Sequence, residues 1–101
     1  MNVEEHLLTC LLEECAEVGK DTCKALRFGP DDVDPSGGYY CGTPSDNIRK
    51  ELIDLLAVGR MLTERGIIQP GWEDPEEGVA KVAKVTKWME HAKRRRRLTD
   101  D

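Results

Sequence analysis

Residues 3–28 read VEEHLLTCLLEECAEVGKDTCKALRF and contain no proline and a single glycine. Their apolar positions recur at intervals of three and four residues, which is the period of an amphipathic α-helix. These positions include Leu7, Leu11, Val18 and Leu26. The pattern therefore predicts one long helix, broken at most once near its start.

Two further helices are predicted from the signals at their starts. Residues 43–46 read TPSD, which places threonine at the N-cap, proline at the first helical position and an acid at the third. We expect this helix to run to about residue 65, because Gly66 is a natural stop. Residues 74–77 read DPEE and open a third helix in the same way, with Glu77 completing a capping box. Since no run alternates like a strand, the predicted fold class is all-α, a helical hairpin or bundle without internal repeats.

The size of the chain bounds its organisation. A chain of 101 residues is expected to form one domain. A monomer of this length buries only a little over about 60% of its unfolded surface, so we expect oligomerisation to complete the core. No apolar run is long enough to span a membrane. Glu4 and Glu5 stand where a secretory signal has basic residues, so the expected location is the cytoplasm.

Charge is distributed unevenly. The net charge is −5, but residues 1–92 carry 10 basic and 18 acidic groups, or −8, whereas the last nine carry +3. We therefore assign residues 1–92 to the domain and 93–101 to a basic tail. The acidic body makes general nucleic-acid binding an unlikely function. The basic run 93–97 fits a helix C-terminus, where the dipole favours cations, or alternatively an arm that binds nucleic acid or a partner.

The four cysteines, at positions 10, 15, 23 and 41, lack the two-residue spacing of a zinc knuckle. We interpret them as free thiols with a structural role.

Two pairs of carboxylates are the main candidates for chemistry. Glu14 and Glu17 lie three residues apart in the first helix, as do Glu51 and Asp54 in the second, so each pair shares one helix face. If the two helices pack together, four carboxylates meet near an apolar core and require a positive partner. A set of oxygen ligands suits Mg²⁺ or Mn²⁺ better than zinc. The alternatives are solvated helix faces, or a structural ion pair between Glu51 and a lysine or arginine across the hairpin.

Basic and amide side chains accompany these acids. The same helix faces carry four candidate ligands for a polyphosphate: Lys24, Arg27, Asn47 and Lys50. Cations of this kind would neutralise phosphoryl oxygens that a metal does not contact. Each lysine taken alone equally fits an ordinary surface charge.

The motifs EExxE at 13–17 and ExxD at 51–54 lie within LLEECAEVGKDTCKALRFG (11–29) and NIRKELIDLLAV (47–58). This arrangement resembles the MazG-like all-α nucleoside triphosphate pyrophosphatases, in particular their short phage and bacterial members. The resemblance implies Mg²⁺-dependent hydrolysis of a nucleoside or deoxynucleoside triphosphate, with dGTP favoured, to the monophosphate and pyrophosphate. It also implies a homodimer or homotetramer with a shared core, in the host cytoplasm if the chain is phage-encoded. The implied metal ligands and catalytic residues are Glu14, Glu17, Glu51 and Asp54, and the implied substrate-binding residues are Lys24, Arg27, Asn47 and Lys50.

One departure from that family concerns the 33 residues between Glu17 and Glu51. The excess falls in the glycine-rich loop 29–43, where Tyr39 or Tyr40 could stack on a base or the loop could be disordered. Two tryptophans, at 72 and 88, are further stacking candidates, although such aromatics usually belong to the core. His6 is interpreted as structural.

Two non-enzymatic functions remain as alternatives to hydrolysis. One is a small helical regulator that binds nucleic acid through its basic tail. The other is an interaction protein whose subunits are joined by metal.

Overall fold

The computed structural model describes residues 1–36 and 42–99, and within these two ranges it is built from helices and turns without strands. The helices are α1 (Val3–Phe28), α2 (Pro44–Glu64) and α3 (Val79–Arg94), with a short 3₁₀ helix (Pro75–Gly78) before α3. The predicted all-α fold class is confirmed. None of the helices in the described ranges has the length and apolar character needed to cross a membrane.

Helix α1 is continuous over its whole predicted length. At its start the Asn2 side chain accepts a hydrogen bond from the Glu5 amide (2.8 Å), and the Glu5 carboxylate accepts one from the Asn2 amide (3.2 Å). This reciprocal pair satisfies two amides that the helix leaves free. At the other end the amide of Gly29 donates to the Ala25 carbonyl (2.9 Å), with Gly29 at φ +96°. Glycine suits this position because a side chain strains a backbone with positive φ.

Helix α2 begins where its sequence predicts. The Thr43 hydroxyl accepts a hydrogen bond from the Asp46 amide (3.1 Å), and the Asp46 carboxylate accepts one from the Thr43 amide (3.2 Å). Pro44, at the first helical position, is fully buried. The helix ends at Glu64, two residues before Gly66, which has φ +72°. The capping box and the proline therefore mark the start of α2.

The third helix starts later than predicted. Residues Pro75–Gly78 form a 3₁₀ turn, and the α-helix begins at Val79. The Asp74 side chain accepts from the amide of Glu76 (3.0 Å), while the Glu77 amide donates to the Asp74 carbonyl (3.0 Å). This hydrogen bond between residues three apart is typical of a 3₁₀ turn and replaces the predicted capping box. Turns of this type are common at the ends of α-helices.

The chain divides into two compact units, Met1–Ile68 and Gln69–Asp101. In the first unit α1 packs against α2. The amide of Ser45 donates to the Pro30 carbonyl (2.9 Å), whereas Leu7 and Met61 line one cavity at the opposite end. The two helices therefore run in opposite directions, which brings the middle of α1 beside the first half of α2.

The apolar core of this helix pair is small. Leu7 and Leu62 are its buried hydrophobic side chains among the residues the structure describes. Leu52 and Ile53 on α2 stay about half exposed, and Leu12 and Leu26 on α1 are largely exposed.

Candidate metal centre and adjoining cleft

Two packed helices bring three of the predicted ligands together. Glu51 and Asp54 lie one turn apart on α2, and Glu14 faces them from α1. One carboxylate oxygen from each of the three lies within 4.8 Å of the others. All three side chains are partly buried, so water screens their mutual repulsion incompletely. We call this group the first acidic triad.

The surroundings of Glu14 in the first acidic triad disfavour its ionised form. Its Oε2 is buried and receives no hydrogen bond from any donor in the described part of the chain. Burial raises the pKa of Glu14 above its ordinary value of 4.5, and contact with the Glu51 carboxyl and the charges of Asp54, Glu51 and Glu17 raise it further. Each of these causes disfavours the ionised form. The position is thus suited to a cation, which would reverse the effect.

A second acidic triad adjoins the first and shares Glu51 with it. Oxygens of Glu17, Asp21 and Glu51 lie within 4.8 Å of one another. Asp21 is only 6% exposed, although aspartate is rarely buried without a partner. The sequence places Asp21 on the same face as Glu14 and Glu17, but sequence reasoning did not include it among the ligands. Its position four residues after Glu17, one helical turn, is the signal that could have identified it.

Lys50 contacts two acids of the first acidic triad. Its Nζ lies 3.4 Å from Oδ2 of Asp54 and 4.0 Å from Oε1 of Glu51. The alternative of a structural ion pair at Glu51 is therefore present in part. The cation in this pair comes from the neighbouring position on α2 itself.

A cleft of about 270 Å³ lies beside the second acidic triad. Three of the predicted substrate-binding residues line it, namely Lys24, Asn47 and Lys50. Arg27 is not among the lining residues, and its guanidinium lies 5.0 Å from the ring centroid of Phe28. Lys20 also lines the cleft and was missed, although it follows Glu17 by one helical turn. The complete lining is Glu17, Lys20, Asp21, Lys24, Asn47, Lys50 and Glu51.

The cleft is therefore lined by both acidic and basic side chains. Asn47 is buried at the wall of the cleft, near the start of α2. The backbone amide of Asn47 donates to the Thr43 carbonyl (3.1 Å). Carboxylates can bind a cation, and lysines beside them can bind the anion that the cation also contacts. This arrangement suits a ligand that carries both, such as a phosphate ester with a divalent metal.

The two acidic triads fit a hard divalent cation. They offer carboxylate oxygens alone, without histidine or cysteine, and Mg²⁺ and Mn²⁺ prefer such ligands. The three described cysteines, Cys10, Cys15 and Cys23, are free thiols outside both triads. The buried, unsatisfied Oε2 of Glu14 is the atom that most needs a positive partner.

The remaining sequence candidates lie elsewhere. His6 lines a separate cavity of about 310 Å³ with Leu7 and Met61, at the other end of the helix pair. Trp72 and Trp88 are exposed and do not form a core within their own unit, where Trp88 makes an edge contact with His91 (5.4 Å between ring centroids). Tyr39 and Tyr40 fall outside the described residues.

Comparison of the chain with protein-family models, curated proteins and solved structures finds no match. Membership of the MazG-like family therefore stays a prediction from the two motifs. The geometry of the two triads and the cleft is what bears on function.

Proposed function

We propose that this chain is a MazG-like nucleoside triphosphate pyrophosphohydrolase that requires Mg²⁺ or Mn²⁺. It converts a nucleoside or deoxynucleoside triphosphate, with dGTP favoured, to the monophosphate and pyrophosphate. One observation carries the proposal: two acidic triads that share Glu51 border a cleft lined with lysines. A triphosphate bound to its metal has the same alternation of positive and negative charge.

The acids of the two triads would bind the metal. Glu14, Glu51 and Asp54 would hold one cation, and Glu17, Asp21 and Glu51 are placed to hold another. A bound divalent cation supplies charge neutralisation at phosphoryl oxygens and lowers the pKa of a coordinated water.

The basic and amide side chains that line the cleft would bind the substrate. Lys20, Lys24 and Lys50 would neutralise the phosphate oxygens that the metal does not contact. The side-chain amide of Asn47 would donate to a phosphate or sugar oxygen. Catalysis of this kind depends on positioning and charge, so it needs no serine, cysteine or histidine nucleophile.

A homodimer or homotetramer is part of the proposal. Leu12 and Leu26 on α1 and Leu52 and Ile53 on α2 expose apolar surface that a second copy could cover. A larger buried area would also compensate for the small core of a single chain. Light scattering on the purified protein tests this, because a monomer at micromolar concentration contradicts it.

The direct test of the activity is a panel of dNTPs and NTPs with Mg²⁺ or Mn²⁺, with the products separated so that pyrophosphate is distinguished from phosphate. We expect pyrophosphate release from at least one nucleotide, and a loss of about 100-fold or more in kcat/KM for Glu51→Gln and Asp54→Asn. Glu13→Gln is the matched control, because Glu13 is exposed and belongs to neither triad. If no nucleotide releases pyrophosphate, the proposal is wrong.

The basic run 93–97 is the feature on which the alternative function, a nucleic-acid-binding regulator, depends. Lys93 lies 3.5 Å from Glu90 at the end of α3, and Arg94 to Arg97 are exposed. Truncation after Ala92 is expected to leave pyrophosphate release in place. A truncation that abolishes function, while Glu51→Gln leaves it intact, would support the regulator.

A further inference from the structure

Lys50 contacts the acids of the first triad and also lines the cleft. Its Nζ lies 3.4 Å from Asp54 Oδ2 and 4.0 Å from Glu51 Oε1, so one ammonium group spans two of the three carboxylates. The same side chain lines the cleft with Lys20 and Lys24. Lys50 therefore contacts the proposed metal ligands and is also one of the lysines that line the cleft.

The ammonium of Lys50 and a divalent cation compete for the same oxygens. A metal ligated by Glu51 and Asp54 uses the lone pairs toward which Lys50 now points. A cation of charge +2 and an ammonium a few ångströms apart also repel each other in a partly buried site. The Lys50 side chain is 40% exposed, so it can change rotamer without disturbing the core.

Within the cleft, a displaced Lys50 has a second role available. As long as its charge is neutralised by Asp54 and Glu51, it attracts a phosphate only weakly. Once released, it adds a third positive charge to those of Lys20 and Lys24. An anion then meets a cleft that is more basic than before the metal entered.

The geometry points to Lys50 as an internal counter-ion that occupies the acidic cluster without metal and is released into the cleft when a divalent cation binds. Metal binding therefore strengthens polyphosphate binding, and polyphosphate strengthens metal binding by the same factor. This inference rests on the proposed metal site, and it adds a coupling between the binding of the cation and that of the anion.

Calorimetric titration of Mn²⁺ into the full-length protein tests the first half of the inference. We expect Lys50→Met to bind Mn²⁺ about fivefold more tightly than the wild type, which corresponds to the loss of a partly exposed competing ion pair. Lys50→Arg keeps the charge and is expected to bind like the wild type. The matched control Arg49→Met removes a positive charge from an exposed position of α2 outside the lining of the cleft, and its Mn²⁺ affinity is expected to stay within about twofold. Circular dichroism verifies that each variant is folded.

Pyrophosphate premixed with excess Mn²⁺ tests the second half when it is titrated into the Mn²⁺-loaded proteins. We expect Lys50→Met to bind it about tenfold more weakly than the wild type, because a charge-assisted contact is missing.

The possible outcomes separate the two proposals. If the wild type binds Mn²⁺ and Lys50→Met binds it no more tightly, the counter-ion role is wrong and the metal site stands. If Lys50→Met binds pyrophosphate as well as the wild type does, release into the cleft is wrong. If the wild type binds no divalent cation, the proposed function fails and the inference fails with it.

Discussion

Glu14 of α1 and Glu51 of α2 present carboxylate oxygens within 4.8 Å of each other, across the interface of two helices that run in opposite directions. This contact joins the motif EExxE to the motif ExxD. Two partly buried carboxylates at this separation repel each other unless one keeps its proton or a cation lies between them. The pKa of Glu14 is raised above its ordinary value, first by burial and then by contact with Glu51 and the neighbouring negative charges.

The pH dependence of stability follows from that shift. Because the pKa of Glu14 is raised above 4.5, the folded chain binds this proton more tightly than the unfolded chain does. The protonated group therefore adds stability at low pH, and this contribution is lost as the pH rises from the ordinary value through the raised one. We expect metal-free Glu14→Gln to match the wild type near pH 4 and to be more stable than it at pH 7.

Urea unfolding in the presence of a chelator, repeated across this pH range, measures the effect of Glu14→Gln. Glu13→Gln keeps Glu14 and both triads in place, so its stability is expected to vary with pH as that of the wild type does. A Glu14→Gln protein that is less stable than the wild type at pH 7 would contradict the electrostatic account.

Metal binding should stabilise the folded chain, and Asp21 should contribute to this stabilisation as a ligand. A ligand that binds only the folded state adds about 2.7 kcal/mol at a concentration 100 times its Kd. We expect Mn²⁺ to raise the Tm of the wild type by several degrees, and to raise that of Asp21→Asn by less, because the second acidic triad loses a ligand. Differential scanning fluorimetry with and without Mn²⁺ gives both shifts. Equal shifts for the two proteins would show that Asp21 is not a ligand.

Leu62 is the side chain on which the packing of α1 against α2 most depends, since it is fully buried. Leu62→Ala is expected to lower the free energy of unfolding by about 2–5 kcal/mol, because it leaves a cavity. Val33→Ala is the matched control, as Val33 is 67% exposed and lies outside the helices, and it should change stability by less than about 0.5 kcal/mol. Urea denaturation followed by circular dichroism measures both. Equal losses for the two variants would contradict a role for Leu62 in the core.

The N-cap of α2 is expected to matter for the cleft as well as for stability. Thr43→Ala removes the hydroxyl that accepts from the Asp46 amide at 3.1 Å, and such a loss costs about 1 kcal/mol. Asn47 lies one turn later, so fraying of this turn should also weaken pyrophosphate binding in the presence of Mn²⁺. Thr9→Ala, in the exposed interior of α1, removes only a hydroxyl bonded to the Glu5 carbonyl (2.8 Å). Equal stability losses for the two variants would contradict a capping role for Thr43.

The third helix shows where local patterns mislead. The sequence DPEE at 74–77 carries the residues of an N-terminal helix signal, yet Pro75–Gly78 forms a 3₁₀ turn and α3 begins at Val79. The signal fixed the position of the cap, since Asp74 does accept a helix amide (3.0 Å to Glu76). It did not fix the pitch of the first turn, because 3₁₀ turns are frequent at helix ends and the same cap residues can precede either kind of turn.

The sequence by itself determined the helical elements of α1 and α2, the ends of both and the helix face on which each acid lies. These properties depend on contacts within a few residues, such as the bond between Thr43 and Asp46, and on the 3.6-residue period. Tertiary structure alone decided which acids meet. It grouped Glu14 with Glu51 and Asp54, added Asp21 to Glu17, placed Lys50 on the acids and left Arg27 outside the cleft. The physical reason is that the distance between side chains on two helices depends on how the helices pack, which is set by contacts between residues far apart in the chain.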